Sequence, residues 1–101
     1  MNSENLAKQP ADKLVVFAHG KESGPWGTKI THLASIARER GYQVLSPDYS
    51  HTHDPRERLR VLLEEVKPRA RILVLVGSSM GGYVSAMACL ALKPQALFLM
   101  A

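Results

Sequence analysis

Short unbroken apolar runs alternate along this chain with stretches in which apolar residues recur every third or fourth position. Leu14-Val15-Val16-Phe17-Ala18 is the first run, and Ile72-Leu73-Val74-Leu75-Val76 is the clearest. Runs of this length suit strands buried on both faces, as in a parallel sheet. Tyr42 to Ser46, ended by Pro47, and Ala96 to Met100 read as two further strands. Between them, Ile30, Leu33, Ala34 and Ala37 fall on one helical stripe, as do Leu59, Leu62, Leu63 and Val66. The small apolar stretch Tyr83 to Leu92 is a third helix, suited to close packing.

The punctuation agrees with these elements. Thr28 is placed to cap the first helix, and Gly41 to end it as the glycine just past its last turn. Asp54-Pro55-Arg56-Glu57 is a helix start in which Asp54 caps, Pro55 needs no N–H partner and Glu57 can reach back. Pro68 is expected to stop that helix. Alternation of strand and helix throughout implies an α/β fold with a mainly parallel sheet of about four strands flanked by helices. Residues 1–12 read as a flexible lead-in and residues 13–101 as one domain.

Composition narrows the function. The chain has 101 residues, 46% of them apolar, within the range of one small globular domain. Its net charge of +4 is spread over Lys13, Lys29, Arg38, Arg40, Arg56, Arg58, Arg60 and Arg69, with acids interspersed. That pattern reads as a solvated mixed-charge surface, and no nucleic-acid partner is expected. No apolar run is long enough to span a bilayer, and the first dozen residues hold no apolar signal core. No membrane association and a cytoplasmic location are the expectations. Cys89 is the single cysteine and reads as a buried inert thiol. His51-Thr52-His53-Asp54 could turn two imidazoles to one side, but a zinc site wants three or four ligands, so no metal is expected. No cofactor is expected either, since no nucleotide-binding glycine motif is present.

Chemistry concentrates at Gly77-Ser78-Ser79-Met80-Gly81, a G-x-S-x-G sequence between a buried strand and a helix. A plain glycine turn has the same composition, and only the strand before it and the helix after it set this one apart. Glycines two positions either side of Ser79 remove side chains that would crowd a sharp turn. Ser79 Oγ would stand clear as a nucleophile, and the Met80 N–H would face the oxyanion of a tetrahedral intermediate.

With His19-Gly20 closing the first strand and Gly-Ser-Ser-Met-Gly-Gly-Tyr at the turn, the chain resembles the nucleophile-bearing part of small bacterial esterases of the α/β-hydrolase fold. The resemblance runs from Leu14 to Ala101. It implies a strand order of 2-1-3-4, with the first helix on one face of the sheet and the second and third on the other. It implies Ser79 as nucleophile, backbone N–H groups of Met80 and Lys21 as oxyanion donors, and a small ester-like substrate. His19 would support the loop. His19, Gly20, Trp26, His51 and His53 are candidates to line the substrate cleft, although Trp26 could equally anchor its loop to the protein body. In this fold the acid and the histidine follow the nucleophile in the chain, yet no Asp, Glu or His follows Ser79 here. Either residues 13–101 are part of a longer hydrolase domain whose later strands carry both, or His51 or His53, oriented by Asp48 or Asp54, is an upstream substitute. A non-catalytic domain that binds a ligand or partner is the alternative. Leu97-Phe98-Leu99-Met100 would leave an apolar sheet edge, so self-association is expected.

Overall fold

The computed structural model describes residues 11–66 and 70–100. Seven elements follow one another: β1 (Ala11–Ala18), α1 (Thr28–Glu39), β2 (Gln43–Leu45), α2 (Pro55–Val66), β3 (Ala70–Ser78), α3 (Met80–Leu92) and β4 (Ala96–Met100). The strands form one parallel sheet in the order β2-β1-β3-β4. This is the alternating α/β architecture that the apolar pattern requires. Pairing is longest in the middle, where β1 runs beside β3 from Ala11↔Ala70 to Ala18↔Gly77.

Strand alternation divides the core in two. Leu14, Val16 and Ala18 of β1 and Leu73 and Leu75 of β3 face α2 and α3, where Leu62, Val66, Val84 and Ala88 close over them. Val15, Phe17 and Val76 face the opposite side, where Ile30 and Ala34 of α1 cover them. A central parallel strand buried on both faces has no polar face, which is why its residues read as an unbroken apolar run.

Several boundaries differ from the sequence expectations. β1 starts at Ala11 and β3 extends to Ala70 and Ser78, because strand pairing, not apolarity, sets their ends. At the β1 start, Asp12 accepts two hydrogen bonds from Arg71 of β3, so the strand begins inside the expected lead-in. Thr28 is the first helical residue of α1 and not its cap; Gly27 occupies the cap position without a side-chain bond. Gly41 does end the helix, at φ +86°. Its N–H bonds Arg38 O and the Tyr42 N–H bonds Ala37 O, the paired closure that a left-handed glycine permits.

α2 begins as expected, with the Arg56 N–H donating to Asp54 Oδ1 at 3.0 Å. Glu57 does not reach back. Arg60 binds it, and Thr52 Oγ1 accepts the Asp54 N–H instead. Pro68 and residues 1–10 of the expected lead-in lie outside the described residues. Cys89 is half-buried, its thiol bonded to Ser85 O within α3.

Candidate active site

Ser79 joins β3 to α3 with φ 54° and ψ −120°. Few residues other than glycine adopt this region, and holding a serine there costs on the order of 1–3 kcal/mol. The surroundings enforce it. A Cβ on Gly77 would overlap Gly81 O and Gly82 Cα, and one on Gly81 would overlap Ala18 O. Both glycines are therefore required by contact, and each contact packs the start of α3 against a strand end. On the far side, the Ser79 N–H donates to Met100 O at 3.1 Å, tying the turn to β4.

Ser79 itself is exposed, while its neighbours Gly77, Gly81 and Gly82 are buried. Its own N–H is used by Met100, so it is not a free donor. Met80 is the first helical residue of α3, where a backbone N–H has no partner within the helix.

The loop after β1 lies directly beside the serine. A Cβ on Gly20 would sit 3.3 Å from Ser79 Cβ and 3.5 Å from Ser78 O. Gly20, Lys21, Glu22, Ser23, Ser78 and Ser79 line an open hollow of about 300 Å³. A second hollow of about 210 Å³ adjoins it, sharing Ser23 and Ser78 and extending to Gly24, Gly27 and Ile30. Together they give Ser79 a shallow cleft at the carboxyl ends of the strands, the edge where open α/β sheets bind ligands.

The other candidate residues fall into different places. His19 is buried and lines no part of the cleft surface. The Tyr49 N–H donates to its Nε2 at 2.9 Å, so Nε2 is the acceptor and the ring proton sits on Nδ1. Nδ1 then donates to Gly20 O at 2.8 Å. Asp48 Oδ1 lies 3.7 Å from Nε2, but with Nε2 already accepting from Tyr49 this is no ion pair. Trp26 is 49% exposed and stacks under the Arg38 guanidinium of α1, at 5.6 Å. It lines neither hollow.

His51 and His53 are exposed in the loop between β2 and α2 and line neither hollow. Among the described residues neither histidine hydrogen-bonds Asp48 or Asp54. Asp48 instead accepts the Ser50 N–H, and Asp54 caps α2. No group of three or more His, Cys, Asp or Glu among the described residues could hold a metal ion.

One residue read as surface is not. Arg58, on α2, is 1% exposed. Its Nε donates to Thr52 O at 2.7 Å, and its Nη1 reaches His19 O at 3.3 Å and Gly20 O at 3.1 Å. The Tyr49 ring lies beneath it at 5.9 Å. The signal was present in the sequence: Arg58 stands four residues before Leu62 and eight before Val66, on the buried stripe of α2.

The strained serine, the glycine contacts and the parallel sheet behind them can be set against known proteins. The sequence profile of the Alpha/beta hydrolase family matches residues 15–101. The chain belongs to the α/β-hydrolase family. A crystal structure of a protein from Xanthomonas campestris pv. campestris, described as of the alpha/beta hydrolase superfamily, superposes with a TM-score of 0.81 at 37% identity. The match covers 90% of this chain and 58% of that one, so this hydrolase-family chain spans a little over half of its relative's length. No curated protein matches it. Among the described residues no helix is long and apolar enough to cross a membrane.

Proposed function

We propose that Ser79 is the nucleophile of a serine hydrolase acting on small carboxylic esters through an acyl-enzyme. The backbone of Ser79 carries this reading. A non-glycine residue at φ 54°, enforced by two glycines that cannot bear a Cβ, has no structural benefit and costs stability. What it supplies is an exposed hydroxyl at a helix N-terminus.

In the proposed reaction Ser79 Oγ attacks the ester carbonyl carbon and gives its proton to a base. The carbonyl oxygen becomes an oxyanion, received by the N–H groups of Met80 and Lys21. Collapse re-forms the carbonyl and breaks the bond to the alcohol, which leaves with the proton. Water then repeats the attack on the acyl-serine and releases the acid. The hollow beside Ser79, at about 300 Å³, suits a short acyl chain.

No Asp, Glu or His follows Ser79 in the sequence, so residues 80–101 supply no base. This observation favours a second reading for these 101 residues taken alone, binding without turnover. Incubation with p-nitrophenyl butyrate, followed by mass spectrometry, separates the two. The serine-hydrolase reading expects a butyryl adduct on the peptide carrying Ser79 and none in Ser79→Ala. Equal p-nitrophenol release by both proteins, with no adduct, would mean that these 101 residues alone do not turn over esters, leaving turnover to a longer protein or binding as the function.

A further inference from the structure

The Gly20 carbonyl attracts an unusual set of donors. His19 Nδ1 reaches it at 2.8 Å, Arg58 Nη1 at 3.1 Å and Ser23 Oγ at 3.5 Å. On the amide side of the same residue, the Gly20 N–H donates to Ser23 Oγ at 2.9 Å. These groups come from three parts of the chain: the end of β1, the loop after it, and the buried face of α2.

The Gly20 carbonyl belongs to the same planar unit as the Lys21 N–H. In a trans peptide the C=O and N–H vectors point in opposite directions. Donors that hold the oxygen inward therefore aim the Lys21 N–H outward, away from the buried side. Gly20 lies against Ser79, so the outward direction opens on the hollow beside the serine. Donation to the oxygen also polarises the unit and strengthens its N–H as a donor.

Arg58 is the costly member of this set. Burying a guanidinium without a bound carboxylate is unfavourable, and an apolar residue would suit the packing of α2 better. Its Nη2 makes no hydrogen bond among the described residues. The acceptors it does have are the carbonyls of Thr52, His19 and Gly20.

We infer that Arg58 is a positioning residue for the oxyanion site: with His19 it clamps the Gly20 carbonyl and so aims and polarises the Lys21 N–H toward the intermediate formed on Ser79. This rests on the serine-hydrolase reading for its purpose, but the clamp itself is a property of the loop. Arg58 touches neither substrate nor Ser79 and acts through one peptide group.

Amide hydrogen exchange combined with fluorophosphonate labelling of Ser79 tests it. Arg58→Met keeps an unbranched apolar stem and removes every donor. Exchange in the segment from Gly20 to Gly24 should rise about tenfold while β3 amides stay protected. The labelling rate should fall by about 10²-fold, the cost of misplacing a reacting group by about 1 Å. Arg58→Lys keeps the charge and one donor head. It should restore part of the loop protection and part of the labelling, and it carries the test if the Met variant does not fold. Loop exchange unchanged in the folded variants would overturn the clamp, and so would an equal rise in the loop and in β3, which marks a general packing residue. Absence of labelling in the unsubstituted protein would show that Ser79 is not activated within these residues, and the exchange data would then decide the clamp by themselves.

Discussion

At Ser79, stability and chemistry pull in opposite directions. Its backbone angles favour glycine, so Ser79→Gly relieves about 1–3 kcal/mol of strain against about 0.5–1 kcal/mol of added chain entropy. The net expectation is a gain of about 1 kcal/mol over Ser79→Ala, which keeps the strain, read from urea unfolding of the two variants. A glycine variant less stable than the alanine variant would show that the turn is not strained. Gly81→Ala should do the reverse. Its Cβ meets Ala18 O, a backbone atom that cannot swing aside, and the expected loss exceeds about 4 kcal/mol by the same measurement. Met87 and Leu90 of α3, by contrast, are exposed.

The helices divide the work of holding the site. α1 covers the β1 side of one face of the sheet, α3 presents its N-terminus to the serine, and α2 both packs the other face and carries Arg58 to the loop. Leu62 is fully buried at the centre of that packing, so Leu62→Ala should cost about 2–5 kcal/mol in thermal or chemical unfolding. The turn leading into α2 has its own acid sensitivity. Hydrogen bonds from Ser50, its side chain first and then its N–H, hold the Asp48 carboxyl below its usual value of 3.8. A lowered folded-state pKa means the turn is fully held above about pH 4 and loosens as pH falls through the folded value. Carbon-13 titration of the Asp48 carboxyl should give a midpoint below 3.8. A midpoint at or above that value would mean Ser50 does not hold it.

For the whole molecule, the sheet edges matter most. β2 is an edge of three residues, short enough to offer little to a second strand. β4 is an edge of five, with Phe98 58% and Leu99 62% exposed. Val15, Phe17, Val76, Phe98 and Met100 line an apolar hollow of about 460 Å³ beside α1. An unpaired edge flanked by exposed apolar side chains is a template on which another copy of the chain is expected to pair. Sedimentation of this chain should therefore show association that grows with concentration, reduced by the double change Phe98→Glu and Leu99→Glu. A single monomeric boundary over the whole concentration range would count against it.

The alternation of strands and helices, the turn at Ser79 and the start of α2 were all readable along the chain, because each depends on neighbours within a few residues. Apolar period, a capping aspartate and glycines flanking a serine act locally. Arg58 and His19 were not readable in the same way. Their deciding partners lie 30 to 39 positions away: Tyr49 fixes the His19 ring, and only the crossing of α2 beneath the end of β1 brings Arg58 to the His19 and Gly20 carbonyls. A periodic stripe shows that a side chain points inward, but whether a buried arginine is ruinous or useful depends on which carbonyls the fold places around it.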